Sequence, residues 1–329
     1  MIISRTPLRA SFVGGGSDLP GFYRRHGGAV LSCAIDKYVY VSVNRKFDGG
    51  IRLAYSQTEE VGSLAEIQHR LFRHSLEMLG IEGGVEVTTT ADIPSRGSGL
   101  GSSSAFTVGL VNTMSAYAGR HASPEQLAAQ ACEVEIERCG EPIGKQDQYA
   151  SAFGGLNVIE FNPDESVRVS PVVLRSGDRT RLQSELLMFY TGATRSASSV
   201  LEAQSKAIED DPQVEKNLIR MVELVYRLRE ELGAGDLDAF GETLHENWLL
   251  KKALTRGISN EHIDGWYGAA RAAGATGGKL LGAGAGGFLL VHAPVDRHDA
   301  VKRAVGLRDV PFRFDPLGSR IIFYDPRTD

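Results

Sequence analysis

The sequence predicts a two-domain protein of the α+β class, and three observations lead to this prediction. Strand-like and helix-like segments mix in the first half without the regular strand, helix, strand repeat of a parallel sheet. The second half contains two long segments with helical periodicity, over 214–232 and 237–254. The polar, turn-like run 175–181 separates the halves as linkers do, so we expect domains over 1–178 and 179–329. A chain of 329 residues is long enough to bury two cores.

Local patterns place the elements of the first half. Residues 37–44 alternate in the manner of a strand, and alternating valines followed by threonines predict another strand over 85–93. Residues 64–79 have helical spacing. The segment 123–126, Ser-Pro-Glu-Gln, is a capping box with proline at the first helical position, and we expect its helix to end near Gly140.

The second half begins with a predicted strand over 185–191. Along the first long helix, apolar residues recur at spacings of three and four, as on a buried helix face; these are Leu218, Met221, Val225 and Leu228. We expect two strands to finish the chain.

Composition and charge disfavour several classes of function. A net charge of −5 and a pI near 6.0 provide no basic field for nucleic acid or an anionic membrane surface. The longest apolar stretch, 280–293, is too short and glycine-rich to span a bilayer, and the first residues lack a secretory signal pattern. Cys33, Cys132 and Cys139 have no zinc-site spacing, so we expect reduced, buried thiols. We therefore expect a cytoplasmic monomer or homodimer with small-molecule partners.

The run 94–105, PSRGSGLGSSSA, has the composition of a phosphate cradle. Gly97, Gly99 and Gly101 alternate with small residues, and three serines lead into an apolar helical segment. Glycine adopts φ > 0 and lets the backbone approach an anion, while the start of a helix directs unpaired N–H groups at bound charge. An ordinary loop with a serine N-cap has a similar composition, but the preceding strand favours a nucleotide site.

Two commoner nucleotide motifs are not supported. The Walker pattern GxxxxGK[ST] does not occur in the sequence, which disfavours a P-loop enzyme. Gly282, Gly284 and Gly287 match GxGxxG, but the run 288–292 that follows is strand-like where a dinucleotide fold requires a helix. We therefore reject the Rossmann interpretation.

Carboxylates follow the glycine loop at positions suited to phosphoryl transfer. That chemistry needs a phosphate cradle, a metal ligand and commonly a carboxylate that takes the acceptor proton. At about 100° per residue, Glu135 and Glu137 flank the apolar stripe of the capped helix and face inward, and Asp147 follows in the next turn. Solvated surface glutamates have the same pattern, so periodicity alone leaves both interpretations open.

Three segments together resemble a known family. The segments 97–105 (GSGLGSSSA), 144–155 (GKQDQYASAFGG) and 279–291 (KLLGAGAGGFLLV) resemble, in order and rough separation, the three signatures of the galactokinase, homoserine kinase, mevalonate kinase and phosphomevalonate kinase family, the GHMP kinases. The resemblance implies an N-terminal domain like domain 2 of ribosomal protein S5 and a ferredoxin-like C-terminal domain. It also implies ATP as phosphoryl donor and Mg²⁺ as cofactor.

The resemblance carries roles to individual residues. Asp147 corresponds to the catalytic aspartate, and Arg9 to the basic residue beside it, which would stabilise transferring charge. Glu135 and Ser104 correspond to the magnesium ligands. The nucleotide phosphates are expected to contact the loop residues Ser95, Gly97, Ser98, Gly99, Leu100, Gly101, Ser102, Ser103 and Ser104.

The opening segment 6–20 is similar to the branch that contains heptose-phosphate kinases and fucokinases. Together with the segments 191–198 and 245–259, it implies a D-glycero-D-manno-heptose 7-phosphate substrate phosphorylated at its C1 hydroxyl, for nucleotide-activated heptose synthesis. Asp18 is the expected sugar ligand, with the glycines beside it permitting close approach. The full set of expected substrate contacts is Gly15, Gly16, Ser17, Asp18, Gly284, Ala285, Arg195 and Lys251.

The phosphate already on such a substrate requires a second anion site. Arg195, Lys251 and the neighbouring Lys252 are candidates, although solvated surface charge explains each of them equally well. Three alternatives stay open at this point. The chain is a kinase for fucose or galactose, a catalytically silent sensor of sugar and ATP, or a decarboxylase of the mevalonate branch, which the sugar-type Asp18 disfavours.

Overall fold

A computed structural model describes residues 1–93, 97–175, 177–192 and 197–326. The first half contains β1 (Ile2–Val13), α1 (Pro20–His26), β2 (Gly28–Arg45), β3 (Ile51–Ala54), β4 (Thr58–Val61), α2 (Arg70–Leu79), β5 (Val85–Ala91), α3 (Ser102–Tyr117), α4 (Pro124–Cys132), α5 (Gln146–Phe153), β6 (Leu156–Phe161) and β7 (Val167–Pro171). The second half contains α6 (Asp178–Ser184), β8 (Leu186–Tyr190), α7 (Ala197–Asp210), α8 (Pro212–Ala234), α9 (Asp238–Lys252), α10 (Glu261–Ala272), β9 (Gly277–Leu280), β10 (Phe288–His292), α11 (His298–Val305), β11 (Arg308–Asp309) and β12 (Arg320–Tyr324). The predicted α+β class is confirmed.

The first sheet is organised by its long second strand. Within the described chain it has eight strands, in the order β12-β1-β2-β5-β3-β4, with β6 and β7 extending from β2. Strand β2 pairs with β5 through Val39–Arg45 and with β6 through Gly28–Cys33, because its 18 residues are long enough to serve both. Strand β12 pairs with β1, so the end of the chain returns to the first sheet. The division at 178/179 stays a prediction, and it would leave one strand of the C-terminal half in the first sheet.

The second sheet is antiparallel and runs β11-β8-β10-β9. In chain order its elements follow a strand, helices, strand, strand, helix, strand pattern, which is the ferredoxin-like arrangement. The fold expected for the C-terminal half is therefore observed.

One apolar core joins the two halves. The largest cluster of buried side chains includes Phe12 and Leu31 from the first half and Leu228 and Phe240 from the second. The rings of Phe12 and Phe240 pack edge to face with centroids 5.2 Å apart. Helix α3 lies inside this structure, with most of its residues buried. The two halves are therefore packed against each other through a common core.

Two predicted helices differ from the observed ones: the helix over 64–79 and the helix that begins at the capping box 123–126. Regular helix begins at Arg70 rather than residue 64, after a separate 3₁₀ turn at Leu64–Glu66. The predicted capping box is confirmed, since the Ser123 side chain accepts from the Gln126 amide and the Gln126 side chain accepts from the Ser123 amide.

The helix that this box begins does not keep an α-helical repeat. It changes to a π-helical segment at Glu133–Arg138, where the amide of Cys139 donates to the carbonyl of Val134 at 3.0 Å. The wider turn buries Glu135 and turns Glu137 to solvent. The prediction that Glu137 faces inward was wrong because it assumed an α-helical angle throughout.

The described cysteines Cys33, Cys132 and Cys139 are free and buried, as predicted. Burial raises the pKa of each thiol, so the thiolate form is disfavoured. In the described part of the chain, no helix combines the length and apolar character that crossing a membrane requires.

Candidate active site

A cleft of about 250 Å³ lies where β1, the glycine loop (residues 97–101), the start of α5, the end of α9 and β9 meet. Many of its lining groups are glycine backbone or serine hydroxyl, and several are charged. The charged lining residues are Arg9, Asp18, Glu135, Glu141, Asp147, Lys251 and Lys279. Carboxylates and cations thus converge on one cavity bordered by phosphate-cradle backbone.

The glycine loop has the conformation that its sequence predicts. Gly97, Gly99 and Gly101 have φ values of 67°, 72° and 72°, a region that favours glycine, and α3 begins directly afterwards. A Cβ on Gly99 would lie 2.3 Å from the carbonyl oxygen of Leu281, so the segment after β9 packs directly on the loop. A Cβ on Gly101 would lie 3.3 Å from Asp147 Oδ2. The loop therefore adjoins the predicted catalytic carboxylate.

Arg9 and Asp147, which both line the cleft, form a bidentate ion pair. Arg9 Nε and Nη2 donate to the two Asp147 oxygens at 2.7 Å each, and Arg9 Nη1 donates to the Gly99 carbonyl at 2.6 Å. Arg9 is held in place by its amide, which donates to the Leu100 carbonyl at 3.0 Å. The Arg9 side chain is 5% exposed and that of Asp147 24%, so the carboxylate is accessible from the cleft. This arrangement orients the carboxylate and leaves it lone pairs for a ligand hydroxyl.

Asp18 lies beside this pair, in the turn before α1. Its Oδ1 accepts from the Gly16 amide at 3.0 Å and from Gln146 Nε2 at 2.9 Å. A Cβ on Gly144 would lie 2.0 Å from Asp18 Oδ2, so only glycine permits this approach. Burial and the nearby Asp147 charge raise the pKa of Asp18, while the amide hydrogen bonds partly offset the rise.

Glu135 is buried across the start of α3. Its Oε1 accepts from Ser103 Oγ at 3.1 Å and its Oε2 from Gln148 Nε2 at 2.6 Å. Burial raises the pKa of Glu135 to about 7, and hydrogen bonds from Ser104, Gln148 and Ser103 oppose that rise. A divalent cation at this carboxylate would remove the cost of burying its charge.

The donors at this end of the cleft fit Mg²⁺. A carboxylate and serine hydroxyls beside a phosphate cradle are oxygen ligands, and Mg²⁺ is usually held by one or two protein oxygens together with substrate phosphates and water. Glu135 and Ser104, which both line the cleft, would provide these oxygens, and Ser103 Oγ also lies 3.1 Å from the Glu135 carboxylate.

Two buried lysines, from α9 and β9, also line the cleft. Lys251, in the last turn of α9, donates to the Gly15 carbonyl at 3.1 Å and to Gln204 Oε1 at 3.0 Å. Lys279, in β9, donates to the Ser11 carbonyl at 2.8 Å. Burial lowers the pKa of Lys251 to about 8, and burial lowers that of Lys279 well below its usual range, with Lys251 and Arg9 adding repulsion.

Some predicted contacts do not reach the cleft. Ser17 is buried and bonds both backbone groups of Ala29, which fixes the turn before α1. The Leu100 side chain is in the core, and its amide donates to Ser98 Oγ. Gly284 and Ala285 contact Ile258 instead, because the Ala285 amide donates to the Ile258 carbonyl at 3.1 Å.

In their place, Gly282 and Ala283 line the cleft. The Lys252 amine pairs with Asp264 at 2.9 Å, away from the cleft lining. The predictions for Ser95 and Arg195 concern residues outside the described part of the chain.

Sequence reasoning did not find Lys279, Gln146 or Gln148. Lys279 carried a signal that could have been used, because it is the only Asp, Glu, Lys or Arg between Arg271 and Asp296. Gln146 and Gln148 flank the predicted base, and their hydrogen bonds to Asp18 and Glu135 depend on tertiary contacts.

Comparisons with known proteins agree with this geometry. The "GHMP kinases N terminal domain" family model matches residues 65–155, and the "GHMP kinases C terminal" model matches residues 228–307. The chain is similar to D-glycero-alpha-D-manno-heptose 7-phosphate kinase of Campylobacter jejuni, with 28% identity over 323 residues that cover 92% of each chain. It is 28% identical over 311 residues to the bifunctional fucokinase/GDP-fucose pyrophosphorylase of Arabidopsis thaliana, covering 87% of this chain and 29% of that longer protein.

A solved structure extends the likeness to the whole fold. The crystal structure of a D-glycero-D-manno-heptose 1-phosphate kinase from Bacteriodes thetaiotaomicron superposes with a TM-score of 0.81 at 25% identity, covering 99% of this chain and 100% of that one. The two family-model matches together span more than half of the 329 residues. The chain therefore belongs to the GHMP kinases, phosphotransferases that act on a hydroxyl group with ATP as the phosphate donor.

Proposed function

We propose that this protein is an ATP-dependent sugar kinase that phosphorylates the C1 hydroxyl of D-glycero-D-manno-heptose 7-phosphate to give the 1,7-bisphosphate. The observation that carries the kinase mechanism is the Arg9–Asp147 pair, held at 2.7 Å beside the glycine loop. The sugar class rests on the similarity to heptose-phosphate kinases along almost the whole chain.

The transfer needs no covalent enzyme intermediate. Asp147 accepts the proton of the acceptor hydroxyl, whose oxygen forms the new bond to the γ-phosphorus of ATP. The bond from that phosphorus to the β,γ-bridging oxygen breaks, and ADP leaves with the electron pair. Arg9 holds Asp147 in position and, with the loop amides, stabilises the charge on the transferred group.

Magnesium at Glu135 and Ser104 would neutralise the charge on the nucleotide phosphates when bound. The protein supplies the oxygen ligands and their orientation. Gln148 donates to Glu135 at 2.6 Å, so it orients the carboxylate from behind.

Asp18 and Lys251 are the proposed contacts with the sugar phosphate. Asp18 retains acceptor capacity at Oδ2, which suits a sugar hydroxyl. Lys251 Nζ lines the cleft with two of its three donors in use, so one donor can bind the phosphate. Arg195 remains an expected partner for the same phosphate.

The names of the similar proteins place the phosphate differently, one at C7 of its substrate and the other at C1. A substrate panel resolves this. ADP release should be measured with heptose 7-phosphate, heptose 1-phosphate, fucose, galactose and mevalonate at equal concentration. We expect kcat/KM to be highest for heptose 7-phosphate and phosphorus NMR of the product to show a new anomeric phosphate.

Other outcomes would replace the proposal. Preference for fucose or galactose would make the chain an unphosphorylated-sugar kinase, and preference for heptose 1-phosphate would move the acceptor away from C1. ATP and sugar binding without ADP release on any acceptor would identify a silent sensor.

A further inference from the structure

Lys279 is a basic residue in an environment that does not compensate a positive charge. The residue is 3% exposed and lies in the middle of the second sheet's edge strand β9. Among the described residues, its Nζ has one hydrogen bond, to the Ser11 carbonyl at 2.8 Å, and no carboxylate forms an ion pair with it. An ammonium has three donors, so two face the cleft or remain unused.

The neighbours of Lys279 make its charge more costly. Arg9 and Lys251 are the charged groups near enough to affect the amine, and both are cations. Burying a charge without a partner is strongly unfavourable, so the amine loses its proton easily in the empty cleft, and a bound anion would favour its ammonium form. The cleft that Lys279 lines is the place where an anion can reach it.

The position of Lys279 indicates which anion this is. Ser11, whose carbonyl it contacts, lies two residues from Arg9 on β1, and both Ser11 and Arg9 line the cleft. Two residues after Lys279, the Leu281 carbonyl would meet a Cβ on Gly99 at 2.3 Å. The amine is therefore anchored to β1, and the segment that follows Lys279 packs on the glycine loop, so both contacts lie on elements that flank Asp147.

We propose that Lys279 is a further catalytic residue, whose ammonium binds the oxygens of the γ-phosphoryl group during its transfer to the acceptor hydroxyl. Lys279 comes from the second sheet, whereas Arg9 and the glycine loop belong to the first half. The transferred group would thus be held from both halves of the molecule. This inference rests on the proposed position of the reacting phosphoryl group beside Asp147, but not on the identity of the sugar.

Lys279→Met tests this role on whichever acceptor the substrate panel finds best. We expect kcat to fall roughly 10²- to 10³-fold, the loss typical for one donor to a transition-state oxyanion. The KM values for sugar and ATP should change only a few-fold. The unfolding midpoint of the ligand-free protein should stay equal or rise, because the variant removes a buried amine that pairs with no carboxylate of the described chain. Lys302→Met, at a partly exposed lysine paired with Asp309, is the matched control and should leave kcat unchanged.

Two results would overturn the proposal. An unchanged kcat with a raised KM for phosphorylated acceptors alone would assign Lys279 to the sugar phosphate. An unchanged kcat and KM with a lowered unfolding midpoint would make Lys279 a structural residue.

A second variant keeps the test available if Lys279→Met does not fold. Lys279→Ala leaves space for a small cation, and added methylammonium should restore part of its kcat in a saturable way. Absence of rescue in a folded Lys279→Ala protein would contradict a direct role of the ammonium. If heptose 7-phosphate is not a substrate, the proposed sugar is refuted. The Lys279 variants can then still be tested with another acceptor.

Discussion

The two sides of the cleft treat charge in different ways. On the side built by β1, the glycine loop and α5, Arg9 and Asp147 neutralise each other, and hydroxyl and amide donors hold Glu135. On the side built by α9 and β9, Lys251 and Lys279 have only carbonyl or amide partners among the described residues. The first side is fixed before any ligand arrives, whereas the second side lacks negative charge that a phosphorylated ligand carries. One part of the cleft is therefore preorganised for catalysis, whereas the positive charge in the other part is balanced only when a phosphorylated ligand is bound.

The largest effect should come from breaking the preorganised pair. Asp147→Asn removes the proton acceptor while keeping its shape, so we expect kcat to fall roughly 10²- to 10⁴-fold with ATP affinity changed only a few-fold. Turnover is measured by ADP release, and ATP affinity by calorimetry. Asp299→Asn, an exposed aspartate on α11, is the control and should behave as wild type. Wild-type turnover in Asp147→Asn would remove this residue from the role of base.

The metal end of the same side should show the next largest effect. Glu135→Gln removes a carboxylate ligand, and the Mg²⁺ concentration for half-maximal turnover should rise at least ~10- to 100-fold, the range that loss of an outer metal-site partner already causes. Glu137→Gln, two residues away and exposed, is the matched control. An identical Mg²⁺ dependence in both variants would show that the metal binds elsewhere.

Much of the first side could be predicted from sequence, because local chemistry determines the glycine loop and the family resemblance assigns Arg9 and Asp147, although these two residues are 138 positions apart. Gly97, Gly99 and Gly101 adopt the positive φ values that their composition predicts, and Asp147 and Arg9 lie where short motifs indicated. The second side depends on contacts between distant segments. Lys279 meets Ser11 across 268 positions of sequence, a distance over which local spacing carries no information. The π-helical turn at Glu135 was likewise missed, because a pattern read at a fixed helical angle cannot reveal a change of helix type.

The contact between the two sides can be tested at a single glycine. Gly99 and Gly119 both have φ near +70°, but a Cβ on Gly99 would lie 2.3 Å from the Leu281 carbonyl, whereas a Cβ on Gly119 meets nothing within 4 Å. Both alanine variants carry the backbone strain, and only Gly99→Ala adds the clash. We expect Gly99→Ala to lower the free energy of unfolding roughly 1–3 kcal/mol more than Gly119→Ala, measured by urea unfolding. Equal losses would mean that the segment after β9 separates easily from the loop.

The smallest expected effect is on the stability of the ligand-free protein, and it comes from Lys251, on the side of the cleft built by α9 and β9. Burial lowers the pKa of Lys251 to about 8, below its value of about 10.5 in the unfolded chain, so the charged lysine destabilises the fold. This cost is fully present below pH 8 and disappears as the pH rises from 8 through 10.5.

Lys251→Met should therefore raise the free energy of unfolding at pH 7, and the gain should shrink between pH 8 and 10.5. Methionine leaves the Gly15 carbonyl and Gln204 without their donor, which offsets part of the gain, so a net increase on the order of 1 kcal/mol is expected. Urea unfolding across this pH range measures it, with Lys302→Met as control because that lysine is only partly buried and paired with Asp309. A loss of stability that is constant with pH would contradict the comparison, because Lys251 would then stabilise the ligand-free cleft as Arg9 does.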